Sequence, residues 1–119
     1  MGFREHLQAI CKSCEGALAC SLMGVDGIEV DSHVEGSGEV DVKALLVEYS
    51  GLFRNAREAA ETHGAGGIAE LFVETEKVLT VARLISPEYY MVVALAPGGN
   101  LGKARYLLRV TAPRLRAEL

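Results

Sequence analysis

The feature that most constrains this chain is a run between Val42 and His63 with the period of a helix. Val42, Leu45, Leu46, Tyr49, Leu52, Phe53, Ala56, Ala59, Ala60 and His63 fall on one side, while Lys43, Glu48, Arg54, Glu58 and Glu61 fall elsewhere. Asp41 stands where a carboxylate caps a helix start, and Gly64 stands where a left-handed residue ends one. A helix of this length with one apolar side needs a broad apolar surface to lie on. The sequence on either side supplies strands.

Ahead of it, Phe3, Leu7, Ile10, Cys11 and Cys14 recur at helical spacing over residues 2–15, with Gly16 as a stop. Ala17 to Met23 is a compact apolar run suited to a strand, and Asp26-Gly27 marks a hairpin turn where both residues tolerate positive φ. Ile28, Val30 and Ser32 then alternate with Glu29, Asp31 and His33, the pattern of a half-exposed strand. Glu35 to Glu39, with Gly36 and Gly38, reads as a flexible loop. After the long helix, Ile68 to Thr75 and Val78 to Ile85 read as strands joined by a turn at Glu76-Lys77. Tyr89 to Ala96 is almost wholly apolar, as in a strand covered on both faces. A last helix begins at Leu101 and carries Leu107, Leu108, Val110 and Leu115, with Pro113 expected to kink or fray it.

The order helix-strand-strand-helix-strand-strand-strand-helix predicts an α+β fold: a five-stranded antiparallel sheet with helices on both faces. At 119 residues the chain fits one domain spanning residues 1–119, because two cores would each be too small. With no Trp and only three Phe, that core is built from Leu, Val, Ile and Ala.

A net charge of −4 argues against a nucleic-acid partner. The charge is uneven: seven acids face Lys43 alone between Asp26 and Glu48, and Lys103, Arg105, Arg109, Arg114 and Arg116 follow one another without an acid. Either these are solvated faces or the basic end docks an acidic partner. No segment has the pattern of a secretory leader, and no apolar stretch nears the roughly 20 residues that span a bilayer. With an odd number of cysteines, three, the expected place is the cytoplasm, without membrane insertion.

The motifs that suggest chemistry fail on inspection. Cys11 and Cys14 form a C-x-x-C at the end of a helix, whereas a reactive pair sits at the start, where the dipole lowers a thiol pKa. Cys20, His6, His33 and His63 offer no zinc spacing, so no metal or other cofactor is expected. Gly98-Gly99-Asn100-Leu101-Gly102-Lys103 resembles a phosphate loop but has Pro97 and Ala104 where that loop needs Gly and Ser or Thr. Gly64-Ala65-Gly66-Gly67 follows a helix and precedes a strand, the reverse of a dinucleotide fingerprint. The histidines stand singly, so no catalytic residue is assigned and the expectation is a protein without enzymatic activity.

Gly24-Val25-Asp26-Gly27-Ile28, Gly64-Ala65-Gly66-Gly67, Tyr90-Met91-Val92-Val93-Ala94-Leu95 and Asn100-Leu101-Gly102-Lys103-Ala104-Arg105, in this order and spacing, resemble the roadblock/dynein light chain family. The likeness covers about residues 3 to 117, with the loop at residues 34–40 and Pro113 as departures. It is greatest to the bacterial gliding-motility members, which regulate a Ras-like GTPase. The resemblance implies a roadblock/profilin-like fold and a homodimer formed through the long helix and the third strand. On that basis Leu45, Tyr49, Leu52, Phe53, Ala56 and Phe72 are the expected dimer interface. Phe72 shares a face with Glu70 and Glu74, which pairing across a two-fold axis explains; packing beneath a terminal helix explains it equally.

The function so implied is a dimeric regulator that binds a small Ras-like GTPase and modulates its hydrolysis or switch state. Arg54, Arg57, Arg105 and Arg109 are the expected partner-binding residues. Arg54 and Arg57 are either donors to transition-state charge or solvated partners of Glu58 and Glu61. The alternative is a structural adaptor that binds irrespective of nucleotide. A sensor with a small ligand in its core is a third reading, opposed by the near-continuous apolar filling.

Overall fold

A computed structural model describes residues 2–36 and 39–119. Its elements are α1 (Phe3–Ser13), β1 (Ala17–Gly24), β2 (Glu29–Val34), α2 (Val42–Thr62), β3 (Glu70–Glu74), β4 (Leu79–Ser86), β5 (Tyr89–Leu95) and α3 (Leu101–Glu118). The predicted order is the observed one. Of the predicted loop at residues 35–39, Ser37 and Gly38 lie outside the described residues.

The strands form one antiparallel sheet in the order β2-β1-β5-β4-β3. β5 is central, which is why its run is apolar throughout: every residue from Tyr90 to Leu95 is buried. Strand alternation divides the core between the two faces. Cys20 and Leu22 of β1, Met91 and Val93 of β5 and Val81 of β4 meet Leu7 and Ile10 of α1 and Leu108 and Leu115 of α3. Ala19 and Met23, with Tyr90, Val92, Ala94 and Ala82, meet Leu46 and Phe53 of α2 on the other face. A single helix thus covers one face, resting on β1 and β5, while two cover the other.

Local chemistry sets the ends of these elements. Asp41 accepts a hydrogen bond from the Ala44 amide at 3.1 Å and starts α2, and Asn100 does the same for the Lys103 amide at 3.0 Å in α3. In the first hairpin only Gly27 takes positive φ (96°), so Asp26 contributes differently from expected. Its carboxylate accepts from the Ile28 amide at 3.0 Å. Gly16, at φ 86°, leads from α1 into β1 so close to Gly99 that a Cβ would lie 2.6 Å from the Gly99 Cα.

Two expectations need correction. Of the two outcomes expected at Pro113, the fraying is absent: α3 runs on to Glu118. Proline removes only its own amide bond there, and buried Ala112 and Leu115 hold the last turns on the core. The apolar side of α2 is also not buried throughout, because Ala59 and His63 are exposed. Val42, Leu46, Ser50 and Phe53 are the residues that α2 buries.

Candidate protein-interaction site

α2 leans over β1 and β5, so the sheet beside it, at β4 and β3, is left with a partly open apolar surface. Leu45 and Tyr49 of α2 flank a groove of about 400 Å³ closed on its other side by Thr75, Lys77 and Val78. Leu71 of β3 and Leu84 of β4 are half-buried against the same core cluster. Leu52, one turn further along α2, is 43 % exposed. Among the described residues β3 pairs only with β4, so its outer edge offers unpaired backbone groups.

The structure separates the residues expected at a dimer interface. Leu45, Tyr49, Leu52 and Ala56 lie on this flank, half-buried or exposed. Phe53 does not. It is fully buried and stacks on Tyr90 with ring centroids 4.4 Å apart and planes 10° apart. The helix period could not distinguish it from Leu52, because both stand on the broad apolar side. Phe72 points to the opposite face of the sheet, half-buried beneath α3. There the Arg105 guanidinium lies 5.1 Å from its ring centroid, while Arg105 Nε donates to Glu70 Oε1 at 3.0 Å. Packing beneath the last helix therefore accounts for an aromatic residue between two glutamates. Leu71 and Val73, which alternate with Phe72, face the α2 side.

The arginines divide in a similar way. Arg54 Nη1 donates to the Val25 carbonyl at 3.0 Å, tying α2 to the first hairpin rather than to Glu58. Arg57 Nη1 donates to the Pro87 carbonyl, and its Nε stands 3.6 Å from Glu61. Arg105 is committed to Glu70 and Phe72, and Arg109 is exposed on α3.

The thiols have no reactive setting. Burial pushes Cys11 up to about 12, and it also raises Cys14, against a small opposing pull from Lys103. Complete burial also raises Cys20 well above its ordinary value. Cys14 closes α1 and lies 3.4 Å from the Asn100 carbonyl. The Tyr90 hydroxyl is pushed up to about 12 by burial, with Ser50 and Arg54 opposing. Among the described residues no group of three or more His, Cys, Asp or Glu is placed to hold a metal, and no helix is long and apolar enough to cross a membrane.

This helix-sheet-helix layering, with one long helix alone on one face and an open third strand, is the roadblock architecture. A Roadblock/LC7 domain from Streptomyces avermitilis superposes with a TM-score of 0.84 at 15% identity, over 99% of this chain and 98% of that one. MglB from Myxococcus xanthus superposes at 0.77 with 18% identity, over 98% and 96%. MglC from Myxococcus xanthus is 53% identical over the whole of both chains, with a TM-score of 0.73. Superposition and identity rank these relatives differently. The low-identity pair speaks for the fold, and MglC for kinship. The chain belongs to the roadblock family, in its gliding-motility branch. No family model and no curated protein matches the sequence.

Proposed function

We propose that this protein is a homodimeric, non-enzymatic regulator that binds a small Ras-like GTPase in the cytoplasm and alters its hydrolysis or switch state. The observation that carries the reading is the open β3 edge beside the uncovered flank of α2, in a chain 53% identical to a gliding-motility roadblock protein. Joining two β3 edges satisfies their backbone groups and covers Leu45, Tyr49 and Leu52 in one step. The dimer then offers its partner a surface. Arg54 and Arg57 are occupied by the Val25 and Pro87 carbonyls, so neither extends as a finger without first giving up a hydrogen bond. Regulation by contact, with the GTPase using its own residues, is the mechanism these side chains permit.

The same occupied arginines favour a second reading, an adaptor whose binding ignores the nucleotide. Tagged protein, expressed in its native cells and purified from extract loaded with a non-hydrolysable GTP analogue or with GDP, separates the two. A Ras-like GTPase recovered mainly with the GTP analogue supports the regulator. Larger proteins recovered equally in both states, without a GTPase, overturn it in favour of the adaptor.

A further inference from the structure

The far ends of β3 and β4 from the groove hold a feature that none of the motifs in the sequence announces. Arg57 of α2, Arg83 of β4 and Arg116 of α3 line one open cleft of about 500 Å³ with a single acid, Glu61, among them. Ile68, Ala69, Leu84 and Pro87 supply apolar lining. Three arginines from three elements thus line one cleft in a chain whose net charge is −4.

Two of the three are held in place. Arg57 donates to the Pro87 carbonyl, and Arg116 Nε donates to the Ile85 carbonyl at 2.7 Å. Arg57 also faces Glu61 at 3.6 Å through its Nε, and each arginine keeps further guanidinium donors. The Arg83 guanidinium makes no hydrogen bond or ion pair among the described residues, although Glu70 stands opposite it in the β3–β4 register. Guanidinium forks match carboxylates with two parallel bonds, and ordering them in advance lowers the entropy lost when they bind.

We propose that this cleft is a docking site for an acidic peptide segment of a partner protein, one that sets an aspartate or glutamate beside an aliphatic side chain. Arg83 and Arg116, from the α3 side of the sheet, take the carboxylate, and Ile68, Leu84 and Pro87 take the aliphatic neighbour. The volume lies within the about 300–1,000 Å³ typical of ligand clefts. A phosphate group suits the site less well: the cleft has no lysine and no helix start, and its lining is largely apolar. The site stands apart from the α2–β3 groove and does not depend on whether the partner is a GTPase.

The test is selection of a phage-displayed library of random dodecapeptides on the full chain, followed by fluorescence anisotropy with the enriched peptide, synthesised and labelled. The expected result is enrichment of Asp or Glu next to Leu, Ile or Val. Binding then weakens at least about tenfold in Arg83→Gln, as loss of a charged hydrogen bond implies. Arg83→Lys, which keeps the charge without the fork, falls between the two. Lys12→Gln, at an exposed position of α1, serves as the control and binds as the wild type does. Circular dichroism verifies that each variant is folded, and if Arg83→Gln is not, Arg83→Lys carries the comparison. Enriched peptides without acids, or binding indifferent to both Arg83 variants, overturn the proposal. Displacement by millimolar inorganic phosphate overturns it in favour of a small-anion site. A change of native mass in the Arg83 variants overturns it in favour of a contact between copies of the chain.

Discussion

Neighbouring residues on α2, Leu52 and Phe53, differ completely in what the fold asks of them, and substitution by alanine separates their roles. Phe53 is fully buried and stacked on Tyr90. Removing the ring opens a cavity between α2 and the centre of the sheet, at a cost of about 3–5 kcal/mol. Of that, about 0.5–1.5 kcal/mol is the aromatic pair beyond simple burial. Leu52 is 43 % exposed, so the monomer realises only part of the roughly 1.5–3 kcal/mol that full burial of a leucine provides, and Leu52→Ala costs about 1 kcal/mol. Urea unfolding reads both, followed by circular dichroism and by tyrosine fluorescence, since the chain has no tryptophan. With an m value of about 2 kcal/mol/M, Phe53→Ala lowers the midpoint by roughly 2 M and Leu52→Ala by roughly 0.5 M. The comparison belongs at low protein concentration, where association adds least to stability. If Leu52→Ala shifts the midpoint as far as Phe53→Ala there, the division of α2 into a core side and a docking flank is wrong.

Other outcomes follow from individual contacts. All three cysteines react slowly with a thiol reagent at neutral pH, at a rate set by unfolding. Their folded pKa values lie above those of the unfolded chain, so the associated stability is intact below about 9 and is lost as pH rises above it, for Cys11 towards about 12. A labelling rate indifferent to added denaturant contradicts this. Asp31 is held below its ordinary range: burial opposes, but hydrogen bonds from Arg4 and the Ser32 amide and the charges of Arg4 and Lys43 outweigh it. A depressed carboxylate stabilises the fold above its unfolded pKa of 3.8, so Asp31→Asn lowers the melting temperature at neutral pH and not at pH 2. An equal loss at both pH values removes the ionic explanation. Gly16→Ala combines positive φ with a clash against Gly99, and is expected to cost more than about 1 kcal/mol by thermal melting. A neutral effect shows that the α1–β1 turn adjusts freely.

Much of this fold was legible because its signals are local. The Asp41 cap, the turn glycine at position 27 and the Asn100 start of α3 each act within a few residues, and each lies where expected. The buried run of β5 showed its central place through composition alone. What was illegible depends on which part of a broad apolar side meets the sheet. Ten candidates on α2 shared that side, yet Val42, Leu46 and Phe53, with the unremarked Ser50, are the ones buried. Nothing in a helical period says that α2 leans towards β1 and β5 and leaves β3 uncovered. Phe72 turned on the same kind of fact, since only the position of α3 shows what lies over it. The arginine cleft was beyond sequence reading, because residues 57, 83 and 116 meet only through the folded sheet.

The functional account rests on a dimer formed through α2 and β3, and native mass by light scattering coupled to size exclusion tests it most directly. The account predicts twice the chain mass for the wild type. Leu52→Glu, which places a charge on an already exposed position, is predicted to give the single-chain mass while remaining folded. A wild type that runs at single-chain mass at all concentrations contradicts the account, and so does a Leu52→Glu variant that stays dimeric.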